Sequence, residues 1–244
     1  PGFSLLFSLA ILIYALLSEG ITPSLHRQSL TLLDQARRHA ATFGTLGVYA
    51  PVSLRDGLHF DHGTEITPLS AVRSGGIATG RGQHYVSGWV QPRMPAFFSL
   101  RRSETRAERL VVTSTATGVV EVVNALGAPI LRLQLCDQRG NLFETRDLAP
   151  GARRSLVSAR KRLHGATAVE CQIRLPGQRA SDAGWRFKDL AAKLLDEKPD
   201  ASLAPAAGTF VAVLDGAPFL EDPLAYCRTK ATARSVVVGW HGEE

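Results

Sequence analysis

Two patterns of apolar residues along the chain predict two different structures. Residues 1–18 (PGFSLLFSLAILIYALLS) contain no charged side chain, and their apolar residues lie on all sides of any helix built there. A helix that is apolar all round needs lipid or a large protein core around it. Beyond residue 28, apolar and polar residues alternate in short runs separated by Gly, Pro, Asn and Asp. That alternation predicts β-strands.

The apolar segment predicts a transmembrane helix that is truncated at its start. Crossing a bilayer takes about 20 helical residues, with a lower limit of about 17, so residues 1–18 are marginal. The chain begins at Pro1 and its single methionine is Met94, which predicts that it is part of a longer protein. The side chains predicted to span the membrane are Phe3, Leu5, Leu6, Phe7, Leu9, Ile11, Leu12, Ile13, Leu16 and Leu17.

A signal peptide and a buried core helix are the alternatives for this segment. Signal peptides begin with basic residues and end in a small-x-small cleavage pattern, and neither occurs in residues 1–20. A core helix normally keeps one polar face, which this run lacks.

The remaining chain predicts short strands at a spacing typical of β-sandwiches. Ile130–Cys136 alternates most clearly, Asp56-Gly57 predicts a tight turn, and Pro68 predicts an edge strand because proline cannot donate to a ladder. The predicted strands are 29–34, 46–52, 58–60, 64–69, 84–90, 96–100, 109–114, 119–123, 130–136, 142–145, 155–157, 167–175, 210–214 and 235–240.

The expected fold class is mainly β. We expect a transmembrane helix over residues 1–18, a β-sandwich-like domain over 19–176, and a small α/β C-terminal extension over 177–244. The extension contains one predicted helix, 185–197, whose apolar residues share a face, and an Ala/Pro-rich linker over 200–207.

Three segments carry a resemblance to a known group of proteins. They are Leu25–Thr31 (LHRQSLT), Val122–Ile130 (VVNALGAPI) and Asp147–Gly151 (DLAPG). With these segments the chain resembles uncharacterised bacterial multi-pass membrane proteins, in which a β-rich domain follows the last transmembrane helix. The resemblance implies a further helix and an Arg-rich cytoplasmic loop upstream, and a β-rich domain outside the cytoplasm. It implies no catalytic residues.

The charge balance bears on topology and partners. Lys and Arg total 28 against 22 Asp and Glu, and the pI is about 9.6. Basic residues shortly after the apolar segment, such as Arg27, Arg37 and Arg38, favour a cytoplasmic domain by the positive-inside rule. That rule compares both flanks of a helix, and only one flank is present here. The resemblance therefore decides for a bacterial membrane location with the domain outside the cytoplasm.

The densest basic run is a candidate contact for anionic lipid or another anionic partner. The alternative is a solvated strand end. Nucleic acid is not expected, since the run lacks exposed aromatic residues and a recognised motif. The run consists of Arg153, Arg154, Arg160, Lys161 and Arg162.

His59, Asp61, His62 and Glu65 form the densest cluster of potential metal ligands. In a strand, His59 and Asp61 share one face and His62 takes the other, so a metal site would require the following turn to swing His62 back. A solvated hairpin tip is the favoured interpretation.

Other candidate motifs lack a required element. Gly75–Gly82 has no lysine or hydroxyl at the P-loop positions, and Ser87 lacks the first glycine of a nucleophile elbow. Asp215, Glu221 and Asp222 flank a Gly/Pro turn and are interpreted as a loop after a strand. We therefore predict no catalytic, cofactor-binding or metal-ligating residues.

The three cysteines, Cys136, Cys171 and Cys227, are widely spaced. Cys136 and Cys171 fall in apolar strand patterns, where a free cysteine acts as a small hydrophobe. One disulfide plus one free thiol is the alternative.

The expected function is a membrane-anchored, non-enzymatic β-rich interaction or scaffold domain of the bacterial cell envelope. Its expected partners are membrane lipid through residues 1–18 and other envelope or membrane proteins. The alternatives are a subunit of a membrane transport or assembly complex, and a metal-dependent or hydrolytic enzyme that uses residues 59–65 or 215–222.

Overall fold

The chain folds mainly as β-structure, which confirms the predicted class. The computed structural model describes residues 7–9, 11, 13, 14, 20–70, 75–86, 88–114, 119–156, 160, 161 and 205–241. The strands are β1 (Ser24–Asp34), β2 (His39–Tyr49), β3 (Leu58–Phe60), β4 (Thr64–Pro68), β5 (Ile77–Thr79), β6 (Gln83–Tyr85), β7 (Ala96–Thr105), β8 (Arg109–Ser114), β9 (Val120–Ala125), β10 (Ile130–Cys136), β11 (Asn141–Leu148), β12 (Arg153–Leu156), β13 (Arg160–Lys161), β14 (Thr209–Asp215) and β15 (Lys230–Trp240).

A nine-stranded mixed sheet is the centre of the fold. Its strand order is β13-β11-β10-β14-β15-β1-β2-β7-β4. β1 and β15 pair in parallel, and the other neighbouring strands pair antiparallel. Strands β14 and β15, which come late in the chain, therefore lie in the middle of this sheet. Two three-stranded sheets, β12-β9-β8 and β3-β6-β5, complete the described strands.

Two apolar clusters pack against one face of the large sheet, because alternate side chains of each strand point to that face. In the first cluster, Phe143 and Phe210 of the large sheet pack with Leu110 and Val122 of the β12-β9-β8 sheet. The second cluster lies farther along the same face. It joins residues of the large sheet, the β3-β6-β5 sheet and the connection between β14 and β15, including Leu46, Phe98, Leu58, Tyr85, Leu220 and Leu224.

Two of the segments that carried the resemblance meet at one buried side chain. Asn124 is fully buried, and its amide donates to the carbonyls of Ala128 and Leu148, both at 2.9 Å. Its side-chain oxygen accepts from the Leu126 N–H at 3.1 Å. The VVNALGAPI and DLAPG segments are therefore two turns tied together by one asparagine, which is a structural role.

Most predicted strands are present, with shifted ends. β4 ends the strand order of the large sheet, which confirms the edge strand predicted from Pro68. The strand predicted over 84–90 stops at Tyr85, and Gly88 adopts a φ of 104° in the turn that follows. The glycine-rich loop over 75–82 contains the short strand β5. The predicted strand 167–175, the helix 185–197 and Ser87 lie outside the described residues.

The predicted transmembrane helix and membrane location are wrong. Across the part of the chain that the structure describes, no helix is long and apolar enough to cross a membrane. Within residues 1–18 the structure describes 7–9, 11, 13 and 14, and these are helical. The assignment to the last helix of a multi-pass membrane protein fails with it. Of the ten residues predicted to span the bilayer, Phe7, Leu9, Ile11 and Ile13 are described and exposed, and Phe3, Leu5, Leu6, Leu12, Leu16 and Leu17 lie outside the described residues.

Candidate functional site

An open pocket of about 690 Å³ lies between the β3-β6-β5 sheet and the connection from β14 to β15. Polar and charged side chains dominate its lining, although the strands beneath it belong to an apolar cluster. This follows from strand alternation: Phe60 points into the core, so its neighbours His59 and Asp61 point outward. The lining residues are His59, Phe60, Asp61, Ala78, Thr79, Gly80, Arg81, Gly82, Gln83, His84, Glu221, Asp222 and Ala225.

Two histidines form a stacked pair on one wall of the pocket. His59 and His84 are directly opposite in the β3–β6 register, and their ring centroids are 4.1 Å apart with an interplanar angle of 18°. The Nε2 atoms of both rings donate to the Asp56 carbonyl, His59 at 2.9 Å. Since a carbonyl oxygen only accepts, both Nε2 atoms carry the proton. Each Nδ1 atom is then left without a partner among the described residues.

Arg102 links two walls of the pocket from below. Its guanidinium binds Glu221 through Nη1, and its Nη2 atom lies 2.9 Å from Asp61 and 2.8 Å from Glu104. Only 15% of the Arg102 side chain is exposed. Burial by itself lowers the pKa of Arg102, but the carboxylates around it outweigh burial and raise that pKa above its ordinary value. Arg102 is therefore a permanent cation.

The carboxylate of Glu221 is fully engaged in holding this arrangement together. It accepts hydrogen bonds from the Thr64 hydroxyl, from Arg102 and from the Asp61 N–H at 2.7 Å. These bonds fasten the connection between β14 and β15 to the turn between β3 and β4. Asp61 differs: Arg102 occupies its Oδ2 atom, while its side chain is 65% exposed. Its Oδ1 atom is thus the carboxylate oxygen that a ligand can reach.

A glycine-rich hairpin, β5 and β6, forms the opposite wall. His62 Nε2 donates to the Gly80 carbonyl at 2.7 Å, which fastens the tip of the hairpin to the β3–β4 turn. A Cβ atom at Gly82 would lie 2.7 Å from the Phe60 carbonyl oxygen, so the close backbone approach requires glycine there. The glycines that faintly resembled a phosphate loop therefore serve the packing of a hairpin.

Tyr226 and Cys227 lie beside the histidine pair. The Tyr226 ring makes an edge contact with His59, at 5.2 Å between centroids, and its hydroxyl donates to the Gly57 carbonyl at 2.5 Å. Burial, with smaller effects from Cys227 and Asp56, raises the pKa of Tyr226 to about 12. Burial, with Asp222 and Asp56, also raises the pKa of the Cys227 thiol.

We expect one tyrosine to ionise at about pH 12, and a Tyr226→Phe variant to lose that step in an ultraviolet difference titration. The pKa of Tyr226 in the folded protein is raised above the unfolded value near 10. Its contribution to stability is therefore complete below about pH 10 and is lost as the pH rises through about 12. A Tyr49→Phe variant is the control and should keep the step. A step at about pH 12 that survives in Tyr226→Phe would contradict the assignment.

The structure brings some of the predicted site residues together and separates others. His59 and Asp61 share the pocket with Glu221 and Asp222, which sequence analysis had placed in an unrelated turn. Glu65 lies outside the lining, opposite Arg101 in the β4–β7 register. Asp215 also lies outside it, opposite Arg234 of β15. His62 supports the pocket wall through its bond to the hairpin.

Sequence analysis missed two residues that define the site, His84 and Arg102. Both lie in strands that were predicted in part, but their role depends on cross-strand register. His84 meets His59 because β6 pairs with β3, and Arg102 lies opposite Thr64 because β7 pairs with β4. The local sequence around His84 or Arg102 does not show which strand each one pairs with, so it gives no signal for these cross-strand pairs.

No group of metal-ligating side chains forms within the described ranges. No disulfide joins Cys136 and Cys227, and Cys171 lies outside the described residues.

The basic run is divided between two sheets. Arg154 donates to the Thr145 hydroxyl and to the carbonyls of Arg146 and Asp147, which ties β12 to β11. Arg153 lies 3.6 Å from Glu121. Arg160 and Lys161 form β13 at one end of the large sheet, and Arg162 lies outside the described residues. A contact of this run with an anionic partner stays a prediction.

Comparison with known proteins places the chain in no group. No family model matches the sequence, and a search of the curated proteins finds no match. The resemblance to bacterial multi-pass membrane proteins thus gains no support from a family match.

Proposed function

We propose that the chain is a β-sandwich-like, non-enzymatic binding domain that holds a small polar ligand in the pocket beside the His59–His84 pair. The sandwich consists of the nine-stranded sheet and the two small sheets packed on one of its faces. The pocket volume of about 690 Å³ falls in the range of about 300–1,000 Å³ typical of small-molecule sites.

The observation that carries this proposal is the Arg102 cluster. One part-buried guanidinium binds Asp61, Glu104 and Glu221, which belong to three different stretches of chain. The pocket walls are therefore fixed before a ligand arrives, and a preformed site loses less entropy on binding than one that must be ordered. The Arg102 cluster thus supports a pocket that keeps the same shape with and without its ligand.

The chemistry of the pocket favours binding over catalysis. Catalysis through a histidine base needs a nucleophile or proton donor within hydrogen-bond reach of that base. The Nδ1 atoms of His59 and His84 have no such partner among the described residues, and Arg102 holds Asp61 and Glu221 in ion pairs. Cys227, the nearby thiol, has a raised pKa and is therefore a poor nucleophile near neutral pH.

A thermal-shift screen of the purified chain tests the proposal. The library contains sugars, amino acids, amines, nucleotides and small organic acids. A ligand present at ten times its dissociation constant stabilises the folded state by about 1.4 kcal/mol, which raises Tm by about 3–6 °C in a chain of this size. We expect at least one compound to do so.

Two matched tryptophan variants locate the binding. Ala78→Trp places a bulky ring on the pocket wall, and Thr113→Trp places the same ring at an exposed position on β8. The shift should disappear in Ala78→Trp and persist in Thr113→Trp. The proposal fails if no compound raises Tm, or if Ala78→Trp responds as fully as Thr113→Trp. Chemical conversion of a bound compound would overturn the non-enzymatic part.

A further inference from the structure

We infer that the ligand is an uncharged polyhydroxylated molecule, that is, a carbohydrate unit. The inference rests on the proposed function and names the ligand class for the same pocket. It is carried by three features of the lining: its charge pairing, its mixture of donors and acceptors, and its exposed planar rings.

Every carboxylate in the lining already has a guanidinium partner. Asp61 and Glu221 share Arg102, and Asp222 lies 3.9 Å from Arg27. Glu104, the third carboxylate on Arg102, also binds Arg106 at 2.6 Å. An incoming anion meets the carboxylates, and an incoming cation meets Arg81 and Arg102. A cation would therefore lose hydration without gaining an unpaired carboxylate, and an anion would gain one guanidinium that is unpaired among the described residues, Arg81, beside three carboxylates. The lining thus favours a ligand without net charge.

The free hydrogen-bonding groups of the lining include both donors and acceptors. Asp61 Oδ1 accepts hydrogen bonds, as does the Nδ1 atom of a histidine whose only ring proton is on Nε2, the nitrogen that His59 and His84 use to donate to Asp56. Arg81 donates, and it makes no ion pair with any residue that the structure describes. A hydroxyl group donates one hydrogen bond and accepts two. A ligand with several adjacent hydroxyls therefore satisfies such a mixed lining better than a carboxylate, which only accepts, or an ammonium group, which only donates.

Planar rings are exposed beside these polar groups. His59, a lining residue, is exposed, and Tyr226, which contacts the His59 ring from beside the lining, is 43% exposed. The face of an aromatic ring is negative and attracts positively polarised hydrogens, such as the C–H groups on one side of a sugar ring. A pyranose or furanose ring presents both that C–H face and a rim of hydroxyls, and the pocket offers a complement to each.

Saturation-transfer NMR on the full chain tests the inference. The probes are a panel of neutral monosaccharides and disaccharides, a panel of primary amines and a panel of phosphate esters. We expect transfer to at least one neutral sugar and to no amine or phosphate ester. Arg81→Ala should weaken the sugar about tenfold without changing Tm, since Arg81 is exposed. Arg139→Ala, an exposed arginine in the β10–β11 turn, is the matched control and should bind as the original chain does.

The remaining outcomes separate this inference from the proposed function. Transfer to amines or phosphate esters alone, blocked by Ala78→Trp, would overturn the carbohydrate inference and leave the binding domain standing. Sugar binding that is equal in Arg81→Ala, Asp61→Asn and Ala78→Trp would overturn the placement of the sugar in this pocket. A chain that binds nothing in the three panels and gives no thermal shift would overturn both.

Discussion

Replacement of Arg102 by methionine is expected to lower the free energy of unfolding by about 3 kcal/mol and to abolish ligand binding. Removal of one partner from a buried ion pair costs about 3–5 kcal/mol, because a charge is left without compensation. Here Arg102 serves three carboxylates, Asp61, Glu104 and Glu221. The lower end of the range applies because the Arg102 cluster is only part-buried and 65% of the Asp61 side chain is exposed, so water solvates part of the remaining charge.

Urea denaturation measures this loss, and the chain offers a neighbouring control. Arg101 precedes Arg102 on β7, so it points to the opposite face of the sheet, and Arg101→Met should change the free energy of unfolding by about 0.5 kcal/mol or less. Arg102→Lys keeps the charge, but an ammonium group cannot reproduce the guanidinium fork, so we expect only partial recovery. Equal stability of Arg102→Met and Arg101→Met would show that the cluster contributes little.

Replacement of Asn124 by alanine is expected to destabilise the fold by about 3 kcal/mol. The substitution leaves the carbonyls of Ala128 and Leu148 and the N–H of Leu126 without their side-chain partner. Each buried polar group left unsatisfied costs about 1–3 kcal/mol. The total cost for the three groups stays near the lower end of that range, at about 3 kcal/mol, because water reaches some of these groups once the Asn124 side chain is gone.

Two further variants make the Asn124 result specific. Asn124→Asp keeps the shape but points an acceptor at two carbonyl oxygens, so it should be at least as damaging as alanine. Asn141→Ala removes an amide that donates to Asp137 in a half-exposed turn at 2.8 Å, and it should cost about 1 kcal/mol. Chemical denaturation compares the three. An Asn124→Ala variant within about 0.5 kcal/mol of the original chain would refute a linking role.

Local sequence predicts much of this fold, since alternation and turn residues act over a few positions. Ile130–Cys136 and the Asp56-Gly57 turn are where the pattern places them. The first half of β2 was missed, because Ala40, Ala41 and Gly44 have low strand propensity. β1 and β7 pair with that segment on both sides, so sheet partners override its local preference.

The apolar segment at residues 1–18 misled the sequence analysis for a related reason. Hydropathy measures only how apolar a run is, and it does not report whether the run forms a helix that can cross a membrane.

The sequence predicted only part of the candidate site. His59 and Asp61 were singled out for their chemistry, but their partners His84, Arg102 and Glu221 reach them through register and through a distant connection. Such pairings depend on the whole sheet.

The central position of β15 in the large sheet determines when the sheet can be completed during protein synthesis. β15 joins β14 to β1, so the halves β13-β11-β10-β14 and β1-β2-β7-β4 stay unconnected until residues 230–240 have been synthesised. His26 of β1 and Thr232 of β15 are separated by 206 positions, which at about 5–20 residues per second corresponds to about 10–40 s on the ribosome. During that time the edge of β1 is open to wrong partners. The nascent chain thus spends tens of seconds exposed to aggregation, and chaperones acting at the ribosome would protect it.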